Sequence, residues 1–117
     1  MKAKLLIATT LLFSLSSHAS EWNFLAHSPS GDKSYAMLNT PSNIFPVIWY
    51  KTTTAKGVTQ AISKDVIDCK KQKYAIRSID KYDSNGAITL SESHTWLSWQ
   101  EITPDSMASF EYGFACK

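Results

Sequence analysis

The 117-residue sequence lacks the short motifs by which many enzymes can be recognised. It contains no phosphate-binding Walker loop, no dinucleotide-binding glycine fingerprint and no nucleophile motif centred on serine or cysteine. It is also too short for two domains with a cleft between them. We therefore expect one small domain that is not an enzyme, with no cofactor and no bound metal.

Long apolar segments are also missing, apart from one near the start of the chain. Residues 5–15 are apolar, but this run is shorter than the roughly 20 residues that span a bilayer. Lys2 and Lys4 precede it, and the tripeptide Ser-His-Ala at 17–19 places small residues where a signal peptidase reads them. This order of features is typical of a secretory signal peptide, the alternative being a buried N-terminal helix.

We accordingly divide the chain into a signal peptide, residues 1–19, and one domain, residues 20–117. No cysteine lies at the cleavage point, so a lipoprotein is not indicated. The sequence predicts a periplasmic, secreted or cell-surface protein that does not insert into a membrane once the signal is removed.

An excess of one charge is absent from the predicted mature domain. The whole chain has 12 basic and 10 acidic residues and a formal charge of +2, but Lys2 and Lys4 lie in the signal. The mature domain is therefore neutral, and overall basicity supports neither a nucleic-acid partner nor an anionic membrane surface. A partner would be recognised by shape and aromatic contacts.

Cysteine is scarce, with only Cys69 and Cys116 in the sequence. Two cysteines in an exported chain favour one structural disulfide. A metal-binding or redox pair is the alternative, but the chain has no Cys-x-x-Cys motif and no histidine at zinc-finger spacing. A disulfide between these residues would tie the end of the chain to its middle.

Apolar and polar residues alternate along most of the mature chain, and this pattern predicts β-strands. Asn85-Gly86 indicates a tight hairpin because such turns need positive φ angles. The predicted strands cover residues 21–26, 33–38, 45–53, 58–69, 73–82 and 87–93, and the first half of the segment 58–69 could instead be a helical turn.

The last residues change to a helical period. Thr103 is a suitable N-cap and Pro104 suits the first helical position. Met107, Phe110 and Phe114 then share one face. The sequence therefore predicts an α+β fold, an antiparallel β-sheet meander with one C-terminal helix packed on it and one disulfide.

Two groups of residues are candidates for binding. One is the only basic cluster, which could dock an acidic partner or could be a solvated turn. The other is a pair of tryptophans in the loop before the helix, which could anchor a partner or pack against the helix. These candidates are Lys70, Lys71, Lys73 and Arg77, and Trp96 and Trp99.

Two further pairs have simpler interpretations. Trp22 and Trp49 lie in predicted strands, where we expect them in the core. Glu92 and His94 would point the same way on a strand, as in an acid–base pair or a pair of metal ligands. Nothing in the sequence completes such a site, so solvent-facing polar residues are the favoured interpretation.

The pattern as a whole resembles the surface-adhesin protein E family of Gram-negative bacteria. The resemblance extends through nearly the whole mature chain. Its most specific segments are Ile67-Asp68-Cys69 and the stretch from Trp99 through Pro104 and Ser106 to the terminal Cys116.

The resemblance implies an antiparallel sheet with a C-terminal helix held by the disulfide. The namesake of the family is an outer-membrane adhesin that binds haem and host matrix proteins such as vitronectin and laminin. We therefore expect a non-enzymatic binding domain with a protein partner. The alternative is a periplasmic inhibitor or immunity protein that neutralises a toxin or a lysozyme-like enzyme. Exposed sheet edges are also compatible with a homodimer.

Overall fold

The structure, a computed structural model, describes residues 21–116. The predicted signal peptide lies outside the described residues. Six antiparallel strands follow one another in sequence order across one sheet, as the sequence predicts. They are β1 (Asn23–His27), β2 (Lys33–Thr40), β3 (Val47–Thr53), β4 (Thr59–Asp68), β5 (Lys73–Tyr82) and β6 (Ile88–Ser93).

Two further elements complete the fold. The short strand β7 (Gln100–Glu101) pairs with the first residues of β5. The helix α1 (Met107–Ala115) packs against β1, β2 and β3. The predicted α+β architecture is confirmed. Among residues 21–116, no helix has the length and apolar character needed to cross a membrane.

The two faces of the sheet differ in what lies on them. Because side chains alternate along a strand, Asp65 and Ile67 of β4 point to the face that carries α1, and Val66 and Asp68 point to the other. We call these the helix face and the opposite face. The helix face contains Ile48 and Ile67, which are fully buried. One part of the core therefore lies between this face and α1, and Val66 and Ala75 are buried on the opposite face.

The disulfide between Cys69 and Cys116 is confirmed. It joins the residue after β4 to the residue after α1 and spans 47 residues of chain. The Tyr112 hydroxyl donates a hydrogen bond to the Cys69 carbonyl oxygen at 3.0 Å, at the same junction. In the chain-entropy view a loop of this length contributes about 4 kcal/mol to stability. The disulfide therefore fixes the C-terminal end of the helix to the end of β4.

The predicted hairpin between β5 and β6 is present, but its geometry differs from a turn with two positive φ angles. Of its residues only Gly86 has a positive φ, +85°. The Asp83 Oδ1 atom accepts hydrogen bonds from the amides of Asn85 at 2.9 Å and Ala87 at 3.0 Å. The aspartate side chain and the glycine together close this turn.

The helix begins later than the sequence predicts. Its N-cap is Ser106, whose hydroxyl accepts a hydrogen bond from the Ser109 amide at 3.3 Å. Thr103 is not the cap, because Asp105 has a φ of +62° and interrupts the helical backbone. The segment from Thr103 to Ser106 is a turn that leads into the helix.

The buried side of the helix also differs from the predicted apolar stripe. Phe110 is 44% exposed, whereas its neighbour Glu111 is only 3% exposed and faces the sheet. Phe110 shares the predicted face with Met107 and Phe114 but stays partly exposed. An acidic side chain is rarely chosen for a core from sequence, because it needs a partner there. Glu111 has one in Asp65, which is itself 2% exposed.

Candidate binding surface

Aromatic and lysine side chains share the opposite face of the sheet. The Lys51 Nζ atom lies 4.6 Å from the centre of the Trp22 ring and 5.2 Å from that of Tyr35. The Lys64 Nζ atom lies 4.8 Å from the centre of the Trp49 ring. Cations at these distances are attracted to the ring faces.

These contacts correct the expectation that Trp22 and Trp49 belong to the core. Both tryptophans are only half-buried, and lysine side chains lie over them. The amphipathic lysine side chain can cover an aromatic ring while its ammonium group stays near water. The pattern of alternation is right for Trp49, but its side chain lies on the face away from α1 and stays half-buried.

A second aromatic and basic group lies on this face where β4 ends and β5 begins. The ring centres of Phe45 and Trp99 are 6.0 Å apart, tilted by 42°. Together with Asp68, Lys71 and Lys73 they line a cavity of about 230 Å³. Phe45 is 48% exposed and Trp99 is 38% exposed. We call Phe45, Lys71, Lys73 and Trp99 the sheet-end patch.

The turn between β4 and β5 positions the two lysines of the patch. The Asp68 Oδ1 atom accepts hydrogen bonds from the amides of Lys70 at 3.1 Å and Lys71 at 3.0 Å. Gln72 adopts a φ of +53°, a left-handed conformation that directs the chain back into β5 at Lys73. Because the Asp68 side chain caps this turn, the patch is built on a fixed backbone.

The two aromatic rings are held by backbone pairing on either side. Around Phe45, the Ile67 amide donates to the Pro46 carbonyl at 3.0 Å and the Cys69 amide donates to the Ile44 carbonyl at 3.1 Å. Trp99 directly precedes β7, which pairs with β5. Each ring is therefore exposed on a rigid segment, a common feature of binding anchors.

The structure brings three of the predicted candidates together and leaves three apart. Trp99, Lys71 and Lys73 line one cavity, and the Lys73 Nζ atom lies 3.3 Å from Glu101 Oε2. The other candidates lie outside that cavity. Lys70 lines a neighbouring pocket, and Trp96 is 79% exposed in the loop before Trp99. Arg77 lies four residues after Lys73 on β5, roughly 13 Å away by strand rise.

Phe45 is the member of the patch that sequence reasoning missed. The alternation around it predicts a strand from residue 45, but the strand begins at Val47. Pro46 indicates the later start of the strand, because it has no amide proton to donate to a neighbouring strand. A large aromatic residue before such a proline lies at the entry to the strand and can stay exposed.

Glu92 and His94 lie near the end of β6, where both are about half exposed. The His94 Nε2 and Glu92 Oε1 atoms are 3.9 Å apart. In the part of the chain that the structure describes, no three His, Cys, Asp or Glu side chains are grouped as a metal site would require. The geometry is that of a solvent-facing pair at a strand end.

Together these features define a class of protein, a small α+β domain closed by one disulfide, with aromatic and basic residues on the face of its sheet away from the helix. A family model, described as surface-adhesin protein E, matches residues 44–117. The chain belongs to the surface-adhesin protein E family. No curated protein and no solved structure matches the chain.

The family match covers most of the elements of the fold. The matched range contains β3 to β7, α1 and the disulfide, and therefore the whole sheet-end patch. Strands β1 and β2 precede the matched range but continue the same sheet. By its family the chain is an adhesin-like surface or exported protein.

Proposed function

We propose that this protein is an exported, non-enzymatic binding domain whose sheet-end patch contacts a protein partner. The observation that carries the proposal is the Phe45–Trp99 pair, two large rings that stay exposed beside two lysine side chains. Aromatic side chains on a rigid frame contribute much of the affinity of many protein interfaces. Membership of an adhesin family supports the same function.

The chemistry of the patch favours an acidic partner segment that carries a large apolar side chain. Asp68 lies within the patch cavity, but it is 7% exposed and its Oδ1 atom is bound by the turn amides. Glu101 pairs with Lys73, which leaves Lys71 as the lysine best placed to meet an acidic group. The mature chain is neutral overall, and Lys71 adds a charged contact to the aromatic ones at this patch.

Localisation forms part of the proposal. The signal-like residues 1–19 and the disulfide both suit an oxidising compartment outside the cytoplasm. We propose that the domain acts in the periplasm or at the cell surface. N-terminal sequencing of the protein from culture fractions tests this, with a first residue at position 20 as the expected result.

A charge-reversal pair tests the role of the patch. The purified protein is used to capture proteins from envelope and host extracellular extracts, and a captured protein is then titrated against variants. Lys71→Glu should weaken binding by at least tenfold, about 1.4 kcal/mol, and the wild-type affinity should fall as salt rises.

The matched control is Lys81→Glu, because Lys81 is an exposed lysine of β5 whose side chain points to the helix face. It should leave the affinity unchanged. Equal losses in both variants would show that only net charge matters, and no loss with Lys71→Glu would contradict a role for the patch.

A further inference from the structure

Four basic residues cross the opposite face of the sheet in one line. Lys33 lies on β2, Lys51 on β3 and Lys64 on β4, and each is displaced by one strand and two residues from the one before. Such a step corresponds to roughly 8 Å between Cα atoms. A register shift between β4 and β5 leaves Arg77 as the extra residue of β5 beside Lys64. We call Lys33, Lys51, Lys64 and Arg77 the diagonal row.

Acidic side chains do not neutralise the diagonal row. Among residues 21–116, no ion pair within 4.0 Å includes a member of the row. In strands β2 to β5, all of which the structure describes, the carboxyl groups on this face belong to Asp68 and Asp80. Asp68 is 7% exposed and accepts from the turn amides, and Asp80 accepts a hydrogen bond from the Ser91 hydroxyl at 2.6 Å. The row is therefore a local excess of positive charge on a mature chain that is neutral overall.

Aromatic rings lie beneath the middle of the row. Lys51 is paired across the strands with Tyr35, and Lys64 is paired with Trp49. The ammonium group of Lys51 lies over the rings of Trp22 and Tyr35, and that of Lys64 lies over the ring of Trp49. All five side chains are half-buried. A ring holds an ammonium group in place without cancelling its charge, so both cations are positioned to meet an anion.

The geometry of the row selects among anionic ligands. Cations in a line across several strands match a linear polymer that repeats its negative charges. The rings beneath them match a polymer that also has flat apolar faces, as the C–H faces of pyranose sugars are. A lipid bilayer suits the face less well, because the rings lie under the ammonium groups and do not extend past them into lipid.

We propose that the diagonal row binds a linear sulfated polysaccharide, with sulfate groups on the lysines and sugar rings against Tyr35 and Trp49. Sulfates accept charge-assisted hydrogen bonds from ammonium groups. The lysine stem is flexible, so each ammonium group can turn from its ring to a sulfate while a sugar ring covers the aromatic face. This site goes beyond the proposed function, since it lies at the centre of the face and takes a ligand of a different class from the partner of the sheet-end patch.

Titration with a heparin octasaccharide tests the proposal. The purified, disulfide-bonded protein is titrated by calorimetry at several salt concentrations. We expect saturable binding whose affinity falls as salt rises. The double variant Lys51→Gln/Lys64→Gln should bind at least tenfold more weakly, because two charged contacts are lost.

The matched control is the double variant Lys56→Gln/Lys81→Gln, which removes the same charge elsewhere. Lys56 is exposed in the turn between β3 and β4, and Lys81 is exposed with its side chain on the helix face. This variant should bind the octasaccharide as the wild type does. Equal losses in the two double variants, or a wild type that does not bind, would overturn the proposal.

A ring variant and a second polymer separate a polysaccharide from other polyanions. Trp49→Leu, with circular dichroism to confirm the fold, should bind the octasaccharide several-fold more weakly, in line with the roughly 0.5–1 kcal/mol of an exposed ring contact. Poly-L-glutamate of equal charge, which has no sugar rings, should bind the wild type more weakly than the octasaccharide does. Unchanged binding by Trp49→Leu together with equally tight binding of poly-L-glutamate would show that charge alone is recognised. Binding to phosphatidylglycerol vesicles without binding to the octasaccharide would assign the face to a membrane, and either result would overturn the proposal.

Discussion

The sheet-end patch and the buried carboxyl pair of Asp65 and Glu111 lie on opposite faces of one sheet and hold charged side chains in opposite environments. In the patch, Lys71 and Lys73 stay near water beside exposed aromatic rings. On the helix face, Asp65 and Glu111 are almost fully buried, and loss of hydration raises the pKa of both carboxyl groups. Exposed cations need no fixed partner, whereas buried carboxyl groups need one. The patch is therefore open to contact with a partner, whereas the carboxyl pair depends on the fold that surrounds it.

The disulfide is the element that the two regions share. Cys69 lies next to the turn that carries Lys71, and Cys116 lies at the end of the helix that carries Glu111. Removing the disulfide should lower stability more than the other substitutions do, and it should affect the two regions unequally.

Cys116→Ser should lower the free energy of unfolding by about 4 kcal/mol, measured by urea denaturation. The helix should loosen more than the patch, because the Asp68 cap and the β4–β5 pairing remain. Amide hydrogen exchange should therefore rise more in α1 than in residues 70–73. Cys69→Ser, which breaks the same bond from the other side, should cost as much stability. A loss below about 1 kcal/mol in both variants would contradict this role of the disulfide.

The buried carboxyl pair of Asp65 and Glu111 should make stability depend on pH. Burial raises the pKa of Glu111, so the folded state holds its proton more tightly than the unfolded state does. The stabilising contribution is complete below the ordinary value of 4.5 and is lost as the pH rises through the folded-state pKa. The wild type should therefore lose stability as the pH rises above about 4.5.

Glu111→Gln should remove the loss of stability that the wild type shows as the pH rises. Well above neutral pH the variant should be more stable than the wild type by about 1–3 kcal/mol, while near pH 4 the two should be similar. Urea denaturation across the pH range measures the difference. Glu101→Gln should follow the wild type at every pH, because Glu101 is exposed, and a pH-independent difference for Glu111→Gln would contradict the raised pKa of Glu111.

Much of the fold follows from the sequence. Alternation along β3 to β6, the glycine of the β5–β6 turn and the two cysteines are local or compositional signals, and the structure agrees with them. The start of the helix does not follow, because Asp105 adopts a left-handed conformation that residue preferences do not indicate.

The candidate site is only partly predictable, for a different physical reason. Trp99, Lys71 and Lys73 could be named in advance, because loop aromatics and clustered lysines are visible in the sequence. Phe45 joins them through pairing between distant segments, which the sequence alone does not show. Glu111 was missed because a buried acid depends on Asp65, a partner 46 residues away in the chain.

Two tryptophans from the same loop give the most direct test of the central claim, that the sheet-end patch is the binding surface. Trp99 lies in the patch, and Trp96, three residues earlier, is more exposed but lies outside the cavity. The affinity of the captured partner is measured for Trp99→Ala and Trp96→Ala, with circular dichroism to confirm the fold. The account predicts that Trp99→Ala loses binding and Trp96→Ala retains it. Retained binding with Trp99→Ala and lost binding with Trp96→Ala would contradict it.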